Sequence, residues 1–362
     1  MDLPRAIFDA QRDRRFGTGN PERMRLEFWE WMVLGHEGRP PGHDLAAPPL
    51  VPRPRWASAP GVRRHFDVGY ESSRDRPVWT FDRWGATRDR LPDGRVVCIG
   101  GEYEDYYDPD FCIYNDVVVL EPDGSVAIYG YPRDVFPPTD YHTSTVMGDR
   151  LVVIGGLGYQ GERRPGATPV FILHLDDYRI EPLETRGEPP GWIFEHSARV
   201  EGESIVVSGG EVYLKEAGEE DSRRSFEEYA LEVSTGTWRR TTDRGWRQFR
   251  LILEDVDNLI VLEPDDPGPA RVDSGDAYLD RSSLLPPGGE GASEIQDDGA
   301  WRGVRALVEG VPVAVELDRG LEAISLVIEG RMDEAKAAAL AEGLGARVAK
   351  ACGRRCVVRG RR

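Results

Sequence analysis

The middle of the chain is patterned as short apolar runs, each ended by a pair of glycines. GRVVCIGG at 94–101, DRLVVIGG at 149–156 and ESIVVSGG at 203–210 read alike, and their second glycines, Gly101, Gly156 and Gly210, recur about every 54 residues. The runs are rich in β-branched residues, which fit a pleated strand. Beyond each glycine pair come a second apolar run, a tight turn and a third run: NDVVVL-EPDGS-VAIYG, PVFILH-LDDYR-IEPLE and EYALEV-STGT-WRRT. Asp123-Gly124 and Thr235-Gly236 suit hairpin turns, because glycine takes positive φ without a Cβ clash. Upstream stand RWGAT (83–87), YHTST (141–145) and EHSAR (195–199). The pattern predicts three units, each of four short antiparallel strands, a to d.

The flanks read differently. Asn20-Pro21 fits an N-cap followed by proline at the first helical position, and Met24, Phe28, Trp31 and Met32 then fall at helical spacing. Residues 39–60 are proline-rich and read as an extended linker. HFDVGY (65–70) and PVWTF (77–81) read as strands ahead of the first unit, and WRQFRLILEDVDNLIVLEP (246–264) as a degenerate a–b pair without glycines. Residues 265–300 are rich in Pro, Gly, Asp and Glu and read as a loop-rich boundary. After them GVRALVE and VPVAVELD form a hairpin about Gly310, and LEAISLVIEG adds a strand. A helix follows from Asp333 to about Ala351 with Leu340, Leu344 and Val348 as its stripe, and CVVRG closes the lobe. The expected layout is 1–60 helix and linker, 61–264 repeats, 265–300 linker and 301–362 a small α+β lobe.

A four-stranded unit with a glycine pair at the end of strand b and His-Ser/Thr at the start of strand a (His142, His196) resembles a kelch repeat. Trp238 in strand d adds to the likeness, with Val126 and Ile180 as its apolar counterparts. Gly85 is read as standing where the other units have histidine. The resemblance covers roughly 78–264. It implies a mainly β chain, a kelch-type β-propeller or partial propeller of the galactose-oxidase-like kind. Three units do not close a ring, so four blades or an arc are expected. Kelch-like copper-radical oxidases need a cross-linked Cys-Tyr pair, whereas Cys98 lies inside strand b and reads as core.

Composition narrows the functional classes. The chain of 362 residues carries Asp+Glu 64 against Lys+Arg 46, a net charge of -18. An acidic chain repels phosphate, so neither nucleic acid nor an anionic membrane surface is expected as a partner. With hydrophobic residues at 40% a packed core is expected, and no run of 18 apolar residues is present. The start, MDLPRAIFDAQRDRRF, lacks the apolar region of a signal peptide, and with Cys 4 in the whole chain no disulfide scaffold is expected. A cytoplasmic setting is expected. Only Lys215, Lys336 and Lys350 are lysines, an arginine bias that points to a GC-rich bacterial genome.

If strand a runs up, the b–c loops and d–a connections share one face. The first b–c loop, EYEDYYDPDF, brings Glu102, Tyr103, Glu104, Asp105, Tyr106, Tyr107, Asp108 and Asp110. Its carboxylates suit a solvated acidic loop, a patch for a basic partner, or Ca²⁺, although the spacing is not that of an EF-hand. The d–a connections bring Asp140 beside His142, and Trp192 before His196. Asp140 and His142 lie two apart and so share a strand face. They suit an acid–base pair, or a cap and a satisfied core histidine. The second and third b–c loops add Tyr159, Arg163, Arg164, Lys215, Arg223 and Arg224. Cys352 and Cys356, in CGRRC, have the spacing that on a helix could pair two thiols on one face, but zinc needs four ligands and Gly353 argues that the helix is ending there. The expected function is non-enzymatic protein binding through Tyr103, Asp105, Tyr106, Tyr107, Asp108, Asp110, Tyr159, Arg163 and Trp192, with no cofactor and no metal. The alternative is an enzyme acting on a small polar metabolite or sugar with Asp105, Asp140, His142 and His196.

Overall fold

The computed structural model describes residues 3–35, 62, 65–68, 78–103, 111–216, 219–262, 275–297, 300–318 and 323–361. Its contacts divide it into two units, Met1–Thr242 and Asp243–Arg362.

In the first unit, α1 (Arg5–Gln11), β1 (Glu22–Arg23) and α2 (Glu27–Gly35) come first. The helix expected from Pro21 starts at Glu27 instead. Asn20 precedes a cis Asn20–Pro21 bond and spends its side chain on Ile180, donating to the carbonyl at 2.7 Å and accepting from the amide at 2.9 Å. Phe8, Phe28, Trp29, Met32 and Val33 are buried, and Trp29 stacks on Trp79 at 4.6 Å. Residues 65–67 form a turn, with the Phe66 amide donating to Val62 at 2.9 Å, and are not the strand expected of HFDVGY. Phe66 instead stacks on Phe8 at 4.2 Å.

The next strands are β2 (Thr87–Arg90), β3 (Val96–Ile99), β4 (Glu102–Tyr103), β5 (Cys112–Ile113), β6 (Val117–Leu120) and β7 (Val126–Gly130). Then come β8 (Thr143–Met147), β9 (Arg150–Ile154), β10 (Val170–His174) and β11 (Ile180–Pro182). Last in this unit are β12 (Arg186–Gly187), β13 (Ile193–Phe194), β14 (Ser197–Glu201), β15 (Ser204–Ser208), β16 (Glu211–Glu216), β17 (Glu219–Arg224), β18 (Tyr229–Glu232) and β19 (Thr237–Arg240). The a–d strands of the three repeats form three sheets. Their orders are β7-β6-β3-β2 with β1 on the outer edge, β11-β10-β9-β8, and β19-β18-β15-β14 with β12 added in parallel. The unit is thus mainly antiparallel β, and none of its described sheets closes on itself.

Strand alternation gives each sheet two faces, and the apolar ones pair in series. Val96, Cys98, Val118 and Ile128 pack with the N-terminal helices. Val97, Ile99, Val117 and Val119 pack with Leu151 and Val153 of the second sheet. Val152, Ile154 and Ile172 meet Ile205, Val207, Leu231 and Trp238 of the third.

The register corrects one expectation. Thr87 pairs with Ile99, Thr143 with Ile154 and Ser197 with Ser208. Ala86, not Gly85, is therefore the counterpart of His142 and His196. Gly85 matches Tyr141 and Glu195, and all three adopt the left-handed region, with φ of 62, 51 and 54. Only glycine takes that conformation without strain, so the fold imposes it on a tyrosine and a glutamate.

The second unit comprises β20 (Arg247–Leu253), β21 (Asn258–Leu262), β22 (Asp276–Asp280), β23 (Glu290–Asp297), β24 (Ala300–Val308), β25 (Val311–Leu317), β26 (Ala323–Ile328), α3 (Glu334–Cys352) and β27 (Cys356–Arg361). The expected hairpin about Gly310, the third strand, the helix and the last strand are all present. Asp333 caps α3 by accepting from the Lys336 amide at 3.1 Å, and Leu340, Leu344 and Val348 are buried. Two expectations fail. β20 does not extend the repeats: it lies between β26 and β27 in a sheet of order β23-β24-β25-β26-β20-β27, because Leu251 and Leu253 join the core under α3. The stretch 265–300 is not merely a linker, since it supplies β22, β23 and the buried Leu279 and Leu284. Cys352 ends the helix, Gly353 takes φ 68 and Cys356 lies on β27, so the CGRRC thiols do not share a helix face.

Candidate functional site

The three sheets meet at one rim, where the b–c loops and d–a connections lie, and the same bonds recur there. Glu102 and Trp84 exchange both backbone hydrogen bonds, the Leu157 amide donates to Asp140, and β13 pairs Phe194 with Glu211. Positions 84, 140 and 194 are thus equivalent. Bonds between sheets recur too. The Tyr141 amide donates to the Gly85 carbonyl at 2.8 Å and the Glu195 amide to the Tyr141 carbonyl at 2.9 Å. Gly101 donates to Thr139 and Gly156 to Ile193, both at 2.8 Å. A Cβ at Gly100 would stand 2.3 Å from the Thr139 carbonyl, and one at Gly155 would stand 2.4 Å from that of Ile193. The glycine pairs are therefore where neighbouring backbones come closest.

The histidines belong to the same series. His142 Nε2 lies 3.1 Å from Thr87 Oγ1, and His196 Nε2 lies 2.9 Å from Thr143 Oγ1. Each thus reaches back to strand a of the preceding sheet. Burial holds the neutral rings, lowering His142 from 6.5 to about 3 and His196 to about 4. A charged imidazole would lose its hydration there without a carboxylate to replace it. His142 and Asp140 do not bond to each other as an acid–base pair would.

Asp140 is fully buried. Its Oδ1 accepts from the Gly158 amide at 2.7 Å, and its carboxyl is hydrogen-bonded to that of Glu102. Burial raises this carboxyl, against the Gly158 bond, the charge of Arg163 and the Glu102 bond, which lower it. Tyr141 Oη donates to Glu102 Oε1 at 2.7 Å.

Of the residues expected to bind, Tyr103 is buried among the residues under the N-terminal helices. Tyr159 Oη accepts from the Ile113 amide and from Arg14, both at 2.9 Å. Arg163 donates to the carbonyls of Leu157 and Gly158, and Trp192 Nε1 donates to Leu157 at 3.2 Å. Asp105, Tyr106, Tyr107, Asp108 and Asp110 lie outside the described residues. Trp84 and Phe111 escaped sequence reasoning, yet they are 49% and 40% exposed at this rim. Phe111 packs edge-on against Tyr159 at 6.0 Å. The available signal was positional: Trp84 precedes the first left-handed residue as Asp140 precedes the second.

A buried cluster beneath the rim is structural. Arg83 pairs with Asp116, donates to the Gly100 carbonyl at 3.0 Å and lies 3.5 Å over the Tyr114 ring. Trp79 Nε1 donates to Asp116 at 2.7 Å. The adjoining cleft, lined by Arg83, Ala86, Thr87 and Cys98, has a volume of about 30 Å³, room for a water or two. Burial pushes the Cys98 thiol up to about 12. Among the described residues no group of three or more His, Cys, Asp or Glu is arranged to hold a metal ion, and no helix is long and apolar enough to cross a membrane.

No protein-family model matches the chain, and no curated protein matches it. A solved structure described as "Structure of YjhT" is similar at 13% identity with a TM-score of 0.29, over 67% of this chain and 64% of that one. The match thus spans somewhat less than two thirds of that protein's length. A superposition that loose assigns neither fold nor function.

Proposed function

We propose that the first unit is a partial kelch-type β-propeller, three blades in an arc, acting in a bacterial cytoplasm as a non-enzymatic protein-binding module through its b–c and d–a rim. The recurrent bonds between sheets support the arc. The observation that carries the function is Trp84, the most exposed large hydrophobic residue among those described, standing with Phe111 on the loop side of the first sheet. Exposed aromatic side chains at a rim suit the anchor residues of an interface. The enzymatic alternative has less support, since His142 and His196 are buried, neutral and bonded to threonines.

The test is site-specific photo-crosslinking of the intact chain in native lysate, from position 111 and, at the opposite end of the sheet, from the c–d turn at position 123. One defined protein captured from position 111 and absent from position 123 supports the reading. No defined capture from position 111, or the same species from both positions, overturns it.

A further inference from the structure

The rim has a chemical bias that, if it does bind a protein, narrows the class of partner. Trp84 and Glu102 form a directly hydrogen-bonded antiparallel pair. Side chains so paired project from the same side, their Cβ atoms about 5 Å apart. The Glu102 carboxylate is also where Tyr141 donates, and the Tyr141 ring lies against Gly85, next to Trp84. An aromatic–carboxylate–aromatic set therefore shares one patch.

The patch is negative. Glu102, Asp140 and Glu195 all act electrostatically on Tyr141. Of the described cations near it, Arg163 donates to two backbone carbonyls and stands 3.7 Å from Glu220, and Arg83 pairs with Asp116. Behind the patch, the fully buried Asp140 carboxyl is hydrogen-bonded to that of Glu102. Adjacent carboxylates need a proton or another cation between them to stay buried at low cost. Among the described residues no group of three or more His, Cys, Asp or Glu is arranged to hold a metal ion, and an exposed tryptophan face beside a carboxylate matches a planar organic cation. A guanidinium stacks on the ring and engages a carboxylate bidentately, which an ammonium does not.

We propose that the patch formed by Trp84, Glu102 and Tyr141, with Asp140 behind Glu102, receives an arginine side chain from a basic segment of a protein partner. This proposal rests on the protein-binding reading of the rim.

The test uses isothermal titration calorimetry of the intact chain with a short synthetic arginine-rich peptide, and with the same peptide carrying citrulline, which keeps the shape and loses the charge. The expected result is binding of the arginine peptide, weakened about tenfold or more by Trp84→Ala and by Glu102→Gln. The c–d turn variant Asp123→Asn is expected to bind as wild type, and the citrulline peptide not to bind. Glu102→Gln keeps an acceptor for Tyr141, so its folding is preserved, and thermal melting checks it. Equal weakening by Asp123→Asn, or none by Trp84→Ala and Glu102→Gln, means that arginine meets the acidic surface at large and overturns the proposal, as does no binding by wild type. The two ideas fail separately. A rim that crosslinks a defined protein but ignores the peptide sinks the arginine proposal alone, and a rim that binds the peptide but captures no protein sinks the partner reading alone.

Discussion

The two ends of the three-sheet stack are built in opposite ways. At the first end the outer face is apolar, with Val96, Cys98, Val118, Leu120, Val126 and Ile128, and the N-terminal helices cover it with Phe8, Phe28, Trp29 and Met32. At the third, the outer face is the opposite one of the sheet and presents Arg199 and Arg239 about the small buried residues Val206 and Ala230. Arg199 is held there by Glu201 at 2.8 Å and Glu228 at 2.9 Å. Among the described residues the series of bonds between sheets also stops. A Cβ at Gly209 would meet nothing within 4 Å, whereas one at Gly100 or Gly155 would strike the next sheet's carbonyl. Stacked repeats share apolar faces inside the stack and need a different solution at each end. Among the described residues one end is covered by helices and the other is polar by sequence.

The largest expected effect lies at the covered end. Trp29→Ala removes a fully buried ring stacked on Trp79, and a loss of about 4 kcal/mol is expected in chemical denaturation. A loss below about 1 kcal/mol would mean that the helices do not act as the first sheet's cover.

Asp89 sharpens the contrast, because it is the counterpart of Arg199 on strand a. It accepts a hydrogen bond from Ser144 of the second sheet, and burial raises its carboxyl from 3.8 to about 6. The unfolded chain then loses this proton first, so stability falls as pH rises from about 4 to about 6. Asp89→Asn is expected to gain on the order of 2 kcal/mol at pH 8 and nothing near pH 3.5. An equal effect at both pH values would contradict the assignment.

Arg199→Ala tests the polar end. Its ion pairs are about half exposed, and such pairs contribute little. A change within about 0.5 kcal/mol is expected in the same denaturation assay. A loss several times larger would show that this face is packed against something and is not a terminus.

Much of this fold was legible in the chain. The glycine pairs and the Asp-Gly and Thr-Gly turns marked the three sheets, and Asp333 and Gly310 marked the second unit. The destination of β20 was not legible, because alternating Phe249, Leu251 and Leu253 suit any half-buried sheet edge. The alignment of Gly85 with histidine slipped by one residue. Local spelling does not show that a tyrosine and a glutamate take a left-handed conformation, which only the neighbouring sheets impose. At the rim, Asp140 and Tyr159 were identifiable from loop chemistry, whereas Trp84 became visible only once its pairing with Glu102 was known. The histidines stood out in the sequence, but their role depends on threonines some 55 residues away.

The central claim is that His142 and His196 do the same work at successive sheet junctions. Both are held neutral, so their contribution to stability is present above pH 6.5 and is lost as pH falls toward 4. The direct measurement is an NMR titration of the two imidazoles in the folded chain. Both are expected to remain neutral at pH 5, with unfolding and not a simple titration ending the series at lower pH. A midpoint near 6.5 for either ring in the folded protein would contradict the account.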